Sequence, residues 1–148
     1  EGEVKMEQNV LLTPGHLISL AARRFAKLSE NRLKPLGFGV GQIPVLVALQ
    51  QGHAQTQREL ATFVKVEQPP MAQMLTRMER DDLIIRTPDP LDKRSSHIQL
   101  TQNAQQKLPH AIDVLFQGNK EALKGFSTEE KLQLTNLLTR LIANLDEL

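Results

Sequence analysis

The stretch from Val66 to Thr101 restricts the possible folds more than any other part of the chain. From Glu67 to Arg80 the large apolar residues are Met71, Met74, Leu75 and Met78, spaced i, i+3, i+4 and i+7, which is one face of an α-helix and a face that needs burial. The opposite face holds Gln68, Ala72, Gln73, Thr76, Arg77 and Arg80 and is left free to touch a partner. Pro69 and Pro70 fall in the first turn, where a missing N–H costs little. After the helix, Leu83 to Thr87 is a short β-branched run and His97 to Leu100 alternates polar and apolar, so two strands are predicted. Pro88 to Ser96, between them, is rich in turn formers and charge, which makes a long, solvated, partly basic tip.

Upstream, Gln57 to Val64 reads as a helix with Thr56 as its N-cap and Glu59 at the third position, the pattern of a capping box. Only Lys65-Val66-Glu67 separates it from the next helix, the short turn that a helix-turn-helix requires. Two helices so joined and followed by a basic-tipped hairpin make a winged helix-turn-helix, mainly α with a small β-hairpin wing. Such a module lays its second helix in a DNA major groove and its wing tip on the backbone or in the neighbouring minor groove.

Asp82-Leu83-Ile84-Ile85-Arg86, then Asp89-Pro90-Leu91-Asp92-Lys93-Arg94-Ser95, then Leu100-Thr101 resemble the wing signature of the MarR family of bacterial transcription regulators, with its D-x-R core and closing L-T. Glu59-Leu60-Ala61 supports the match, and Val66-Glu67-Gln68-Pro69 is similar to the SlyA-like branch. The resemblance spans nearly the whole chain. It implies a homodimer that binds a pseudo-palindromic site on double-stranded DNA and regulates transcription. It also implies release by a small anionic aromatic ligand held between the dimer helices and the DNA-binding lobe, where His16 or Arg24 would meet a carboxylate. Asp82 stands where the family usually has glycine, and aspartate tolerates left-handed backbone better than most residues. Gln73 stands where many members carry arginine.

The DNA-facing candidates on the recognition helix are Gln68, Pro69, Pro70, Gln73, Thr76 and Arg77. Glutamine bonds adenine N6 and N7 bidentately, while Arg77 either contacts phosphate or guanine or pairs with Glu67, Glu79 or Asp81. On the wing the candidates are Asp92, Lys93, Arg94, Ser95 and Ser96. Arg94 suits the narrowed, electronegative minor groove of an A·T tract, and Asp92 suits orienting an arginine through a charge-assisted bond.

The flanks read as helices. Leu17, Leu20, Ala21, Phe25 and Leu28 form a stripe from about Pro14 to Lys34, opposite a basic face of Arg23, Arg24, Lys27, Arg32 and Lys34. A helix from about Gln42 to Gln51 follows, with Ile43, Leu46, Val47 and Leu49 as its apolar set and Gly52 as its stop. From Thr101 a long pattern runs through Leu108, Ile112, Leu115, Phe116, Leu123 and Phe126, with Pro109 expected to kink or break it. Ser127 and Glu130 open the last helix as a capping box, and its leucines exceed what one small domain needs to cover. The expected division is an N-terminal dimerisation helix in 1–36, a DNA-binding lobe in 37–101 and C-terminal dimerisation helices in 102–148, forming one compact domain that dimerises through its N- and C-terminal helices.

Composition limits the alternatives. Lys and Arg number 18 against 17 Asp and Glu, and Arg58 to Arg94 holds seven of each sign, so any DNA contact comes from how charges are arranged and not from gross excess. There is no cysteine, which removes disulfides, thiolate metal sites and cysteine redox sensing and fits a reducing cytoplasm. No apolar run approaches the roughly 20 residues that span a bilayer, so no membrane partner is expected. His16, His53, His97 and His110 have no metal-ligand spacing, no catalytic motif is present, and neither a cofactor nor an enzyme is expected. The balanced charge leaves one alternative, a winged helix used as a protein-interaction module with weak, sequence-blind DNA binding.

Overall fold

The structure, a computed structural model, describes residues 9–92 and 94–148. In chain order the elements are α1 (Pro14–Leu33), α2 (Ile43–Gln50), α3 (Gln57–Val64), α4 (Gln68–Arg80), β1 (Ile84–Pro88), β2 (Ser96–Leu100), α5 (Gln102–Ala122) and α6 (Thr128–Asp146), with short 3-10 turns at Val10–Leu12, Lys34–Leu36 and Val40–Gln42. Packing divides the chain after Leu115, inside α5, whereas the sequence reading divides it at 36 and 101.

In the first unit, α2 is the central helix. Ile43, Val45, Leu46 and Ala48 are buried and Val47 and Leu49 are half-buried against the same core. The sequence pattern marks a narrower stripe on α2, without Val45 and Ala48. It is apolar on nearly every side because α3 and β2 both pack on it. Met71, Leu75 and Met78 of α4 are fully buried in this core and Met74 is half-buried, as the spacing predicts. Ala104, Leu108 and Ala111 of α5 complete it.

Helix ends in this unit are turned by left-handed residues. Gly52 (φ +75°) ends α2, Lys65 (φ +59°) ends α3 and Asp82 (φ +61°) follows α4. At Asp82 the geometry is a Schellman turn: Leu83 N–H donates to Met78 O at 2.9 Å and Asp82 N–H to Glu79 O at 3.2 Å, with the Leu83 and Met78 side chains both buried. The predicted left-handed aspartate is therefore present. Because Leu83 spends its N–H on the helix end, β1 begins one residue later than the apolar run suggests.

The hairpin is antiparallel, with Ile84 opposite Leu100, Arg86 opposite Ile98 and Pro88 opposite Ser96. On its other edge β2 is tied to the segment before α3: Ile98 N–H donates to Gln55 O at 2.8 Å, and Thr56 bridges His97. Thr101 closes the base. Its hydroxyl donates to Asp82 O at 2.7 Å and accepts from Ala104 N–H at 3.1 Å, while its own N–H donates to Leu83 O at 3.1 Å.

The helix α5 runs through Pro109 without a break. The missing N–H leaves the Gln105 carbonyl without its helical donor, but both residues are exposed, so water can satisfy it. In the second unit, Phe116–Leu148, Ser127 N–H donates to Glu130 Oε1 at 2.8 Å and Glu130 N–H to Ser127 Oγ at 3.1 Å, a complete capping box. The single chain buries no residue of α6, and Leu132 and Leu137 are 62% and 57% exposed. In the first unit, Val10, Leu11 and Leu17 also stand exposed. Among the described residues no single helix is long and apolar enough to cross a bilayer.

Thr101→Val keeps the side-chain volume and removes both hydroxyl bonds. It should lower unfolding stability by about 1–2 kcal/mol in urea denaturation, the cost of a lost cap and of one of the two hydrogen bonds to the Asp82 carbonyl. A midpoint within error of the parent would show that the hairpin base is held by packing alone.

Candidate nucleic-acid interface

The start of α4 is unusual in its donors. Glu67 precedes it in extended backbone, without a side-chain cap, and Met71 N–H already donates to Glu67 O at 3.0 Å. Pro69 and Pro70 have no N–H, so of the first-turn amides only that of Gln68 is left without a partner among the described residues. Apart from that amide, the hydrogen-bonding groups at this end are side chains. Gln68, Pro69, Pro70, Gln73, Thr76 and Arg77 are all exposed, opposite the buried Met71, Leu75 and Met78. Ala72, Gln73, Thr76 and Arg77 line one shallow depression along this face.

Two polar ties hold this helix from outside its own backbone. Gln57 Nε2 on α3 donates to Gln68 Oε1 at 3.2 Å. Arg86 Nη2 on β1 donates to Thr76 Oγ1 at 3.1 Å, and the Thr76 hydroxyl in turn donates to Ala72 O at 3.0 Å. The Thr76 proton is thus committed within the helix, leaving its methyl group and one lone pair to face outward. Arg86 Nε is buried without a hydrogen-bond partner among the described residues. Arg77 forms no ion pair among the described residues; the acid nearby, Asp81, takes Arg80 at 3.4 Å.

The wing tip is folded by its own acids. Asp89 Oδ1 accepts from Leu91 N–H at 2.9 Å, Asp89 N–H donates to Ser95 O at 3.1 Å, and Asp89 Oδ2 lies 3.4 Å from His97 Nε2. Asp92 Oδ1 accepts from the backbone N–H of Arg94 at 2.9 Å, and Asp92 O accepts from Ser95 N–H at 3.1 Å. Asp92 thus meets Arg94 through its main chain, not through the guanidinium, which stays exposed. Lys93 lies outside the described residues.

These parts converge. Thr56, Gln57 and Arg58 at the start of α3, Gln68 at the start of α4, and Asp92, Arg94, Ser95 and Ser96 of the wing line one groove of about 530 Å³. The sequence pattern marks Gln68 and the wing residues, gives Thr56 only as a cap, and carries no sign of Gln57 or Arg58. What brings these to the wing is the Gln55–Thr56 bridge to β2, for which a sequence carries no local signal. His16 and Arg24 both lie on α1, eight residues and so about 12 Å apart along its axis. One small carboxylate would reach only one of them in a single chain. Among the described residues no three His, Cys, Asp or Glu side chains gather where they could hold a metal ion.

Comparison with known proteins places this geometry. Residues 40–96 match the model of the MarR family. Over 88% of this chain and 92% of the other, the structure is similar to that of the transcriptional regulator SlyA, at 28% identity and a TM-score of 0.80. A SlyA-like transcription regulator from Listeria monocytogenes aligns over 88% of this chain and 87% of its own at 26% identity, TM-score 0.80. A mutant MarR from E. coli, complexed with operator DNA, aligns over 90% and 99% at 24% identity, TM-score 0.80.

The Leu91 N–H chiefly, and the His97 charge beside it, hold the Asp89 carboxyl below the ordinary value of 3.8, against the opposing effect of partial desolvation. A depressed carboxyl stabilises the fold fully above its unfolded value, and that contribution disappears as pH falls through the folded one. The Asp89 carboxyl carbon should therefore titrate below 3.8 in an NMR pH series, with the Leu91 amide resonance moving in step. A midpoint at or above 3.8 would mean that this turn is not formed in solution.

Proposed function

Starting from the match of residues 40–96 to the MarR family model, we propose that the protein is a sequence-specific DNA-binding transcription regulator that acts as a homodimer on a pseudo-palindromic operator. The observation that carries this is the exposed polar face of α4 together with the groove that sets Gln68, at the start of that helix, beside Arg94 of the wing. Its structural relative from E. coli was solved on operator DNA.

In this reading α4 enters a major groove. Gln68 and Gln73 meet base edges, Pro69 and Pro70 give apolar contact, Thr76 offers its methyl group, and Arg77 takes a phosphate or a guanine. Arg94 enters the adjacent minor groove, where a narrowed A·T tract attracts its guanidinium. Ser95, Ser96 and Lys93 contact the backbone, while Asp92 shapes the tip. The unpartnered apolar residues of α6 and of the N-terminal segment hold the second copy, and two-fold symmetry puts the half-sites about one helical turn apart. The protein works in the cytoplasm. A small anionic aromatic effector, met by Arg24 or His16, releases the DNA by favouring a spacing of the two recognition helices that misfits the operator.

The test is fluorescence anisotropy of the protein on duplex DNA from its own upstream region and on a shuffled control, across a salt series. The regulator binds the native fragment on the order of a thousandfold more tightly, with a steep salt slope. Equal, weak binding to both would replace this reading with the protein-interaction module that the lobe's balanced charge allows. Arg94→Ala should weaken operator binding by about 1–3 kcal/mol without changing the dimer mass seen by light scattering. Unchanged affinity would remove the wing from the contact.

A further inference from the structure

We infer that Gln57, on α3, is a specificity-determining positioning residue: it fixes the side-chain amide of Gln68 so that the base met by Gln68 is read by N–H donors. The inference rests on the DNA-binding reading above. A glutamine amide is ambiguous by nature, since rotating its terminal torsion by half a turn exchanges an acceptor for a donor pair. A free Gln68 would offer either group to DNA, or both to adenine. Here the two amides are coupled, because Gln57 Nε2 donates to Gln68 Oε1 at 3.2 Å. That bond directs the oxygen toward α3 and leaves the Gln68 NH₂ as the group presented to the groove.

Two neighbouring facts make this consequential. Pro69 and Pro70 remove two backbone donors from the first turn of α4, so the Gln68 side chain is the principal donor at this end. Gln57 and Gln68 also line the same groove as Arg94, so the pair stands beside the wing and not on a remote surface. A donor at this point selects base edges that present acceptors in the major groove, guanine O6 and N7 or thymine O4, over cytosine, whose edge presents an amino group.

The experiment is selection from a pool of DNA duplexes with a randomised centre, followed by sequencing of the bound fraction, for the wild-type protein and for Gln68→Ala, Gln57→Ala and Gln57→Glu. Gln68→Ala marks the base position, in each half-site, that Gln68 reads. At that same position Gln57→Ala should reduce the preference for an acceptor-bearing base by roughly three- to tenfold, leaving other positions, the salt slope and thermal melting unchanged. Gln57→Glu cannot donate to Gln68 and accepts from its Nε2 instead, which turns the Gln68 oxygen outward. Its preference at that position should move toward cytosine or adenine, a switch that a purely structural role for Gln57 would not produce.

If Gln57→Ala and Gln57→Glu both keep the wild-type base profile, the inference is overturned. It is equally overturned if both lose affinity uniformly at all positions with a shallower salt slope, because Gln57 is then a backbone contact. A wild-type protein that shows no base preference anywhere sinks the regulator reading, and this inference with it.

Discussion

The arrangement of helix and wing depends on one carbonyl. The backbone oxygen belongs to Asp82, the left-handed residue that follows α4, and it receives the hydroxyl of Thr101 at 2.7 Å and the Asn103 amide at 3.3 Å. Asp82 ends the recognition helix, Leu83 opens the hairpin, and Thr101 both closes the hairpin and caps α5. A residue at φ +61° turns the chain sharply enough for β1 to return beside the helix it has just left. Were Asp82 replaced by a β-branched residue, that backbone would be strained, and the angle between reading helix and wing would be the first thing to change.

Much of this was legible because the signals are local. Three methionines and a leucine at helical spacing mark α4, Thr56 and Ser127 mark two caps, and Asp82 stands where a left-handed turn is needed. Each of these depends on residues within a turn or two of itself. The groove was only half legible. Its wing side and Gln68 follow from the pattern, but Thr56, Gln57 and Arg58 join it through pairing between residue 55 and residue 98. A contact that bridges more than forty positions leaves no periodicity to read. The packing of α2 was understated for a similar reason: Val45 and Ala48 are buried by α3 and β2 arriving from elsewhere, and a single amphipathic stripe does not record that.

Charge shows why counting residues is a poor guide to this surface. The lobe carries equal numbers of acids and bases between Arg58 and Arg94. The acids are not spread evenly over the reading surface, however. Asp89 accepts from Leu91 N–H and faces His97, Asp92 accepts from Arg94 N–H, and Asp81 holds Arg80. Backbone N–H dipoles and a neighbouring cation offset part of each negative field, while the Arg94 guanidinium is exposed and Arg77 has no ion pair among the described residues. At the wing tip Arg94 therefore faces outward with more of its field intact than Asp89 and Asp92 do, and steering a polyanion depends on such local arrangement more than on net charge.

The same ties constrain how such a protein could respond to a ligand. Arg86 binds Thr76, Gln57 binds Gln68, and Thr101 binds Asp82, so α3, α4 and the hairpin are joined at three places along the reading helix. Bending the wing away from α4 would break the Arg86–Thr76 bond and strain the part-buried Thr101–Asp82 bond, each worth about 1 kcal/mol net. Moving the lobe as a whole relative to its copy in the proposed dimer breaks none of them. A switch that costs little must use the second motion. An effector that changes operator affinity would then act on the distance between two rigid reading heads, and the apolar helices proposed to hold the copies together would be the part of the fold where its differential affinity has to be expressed.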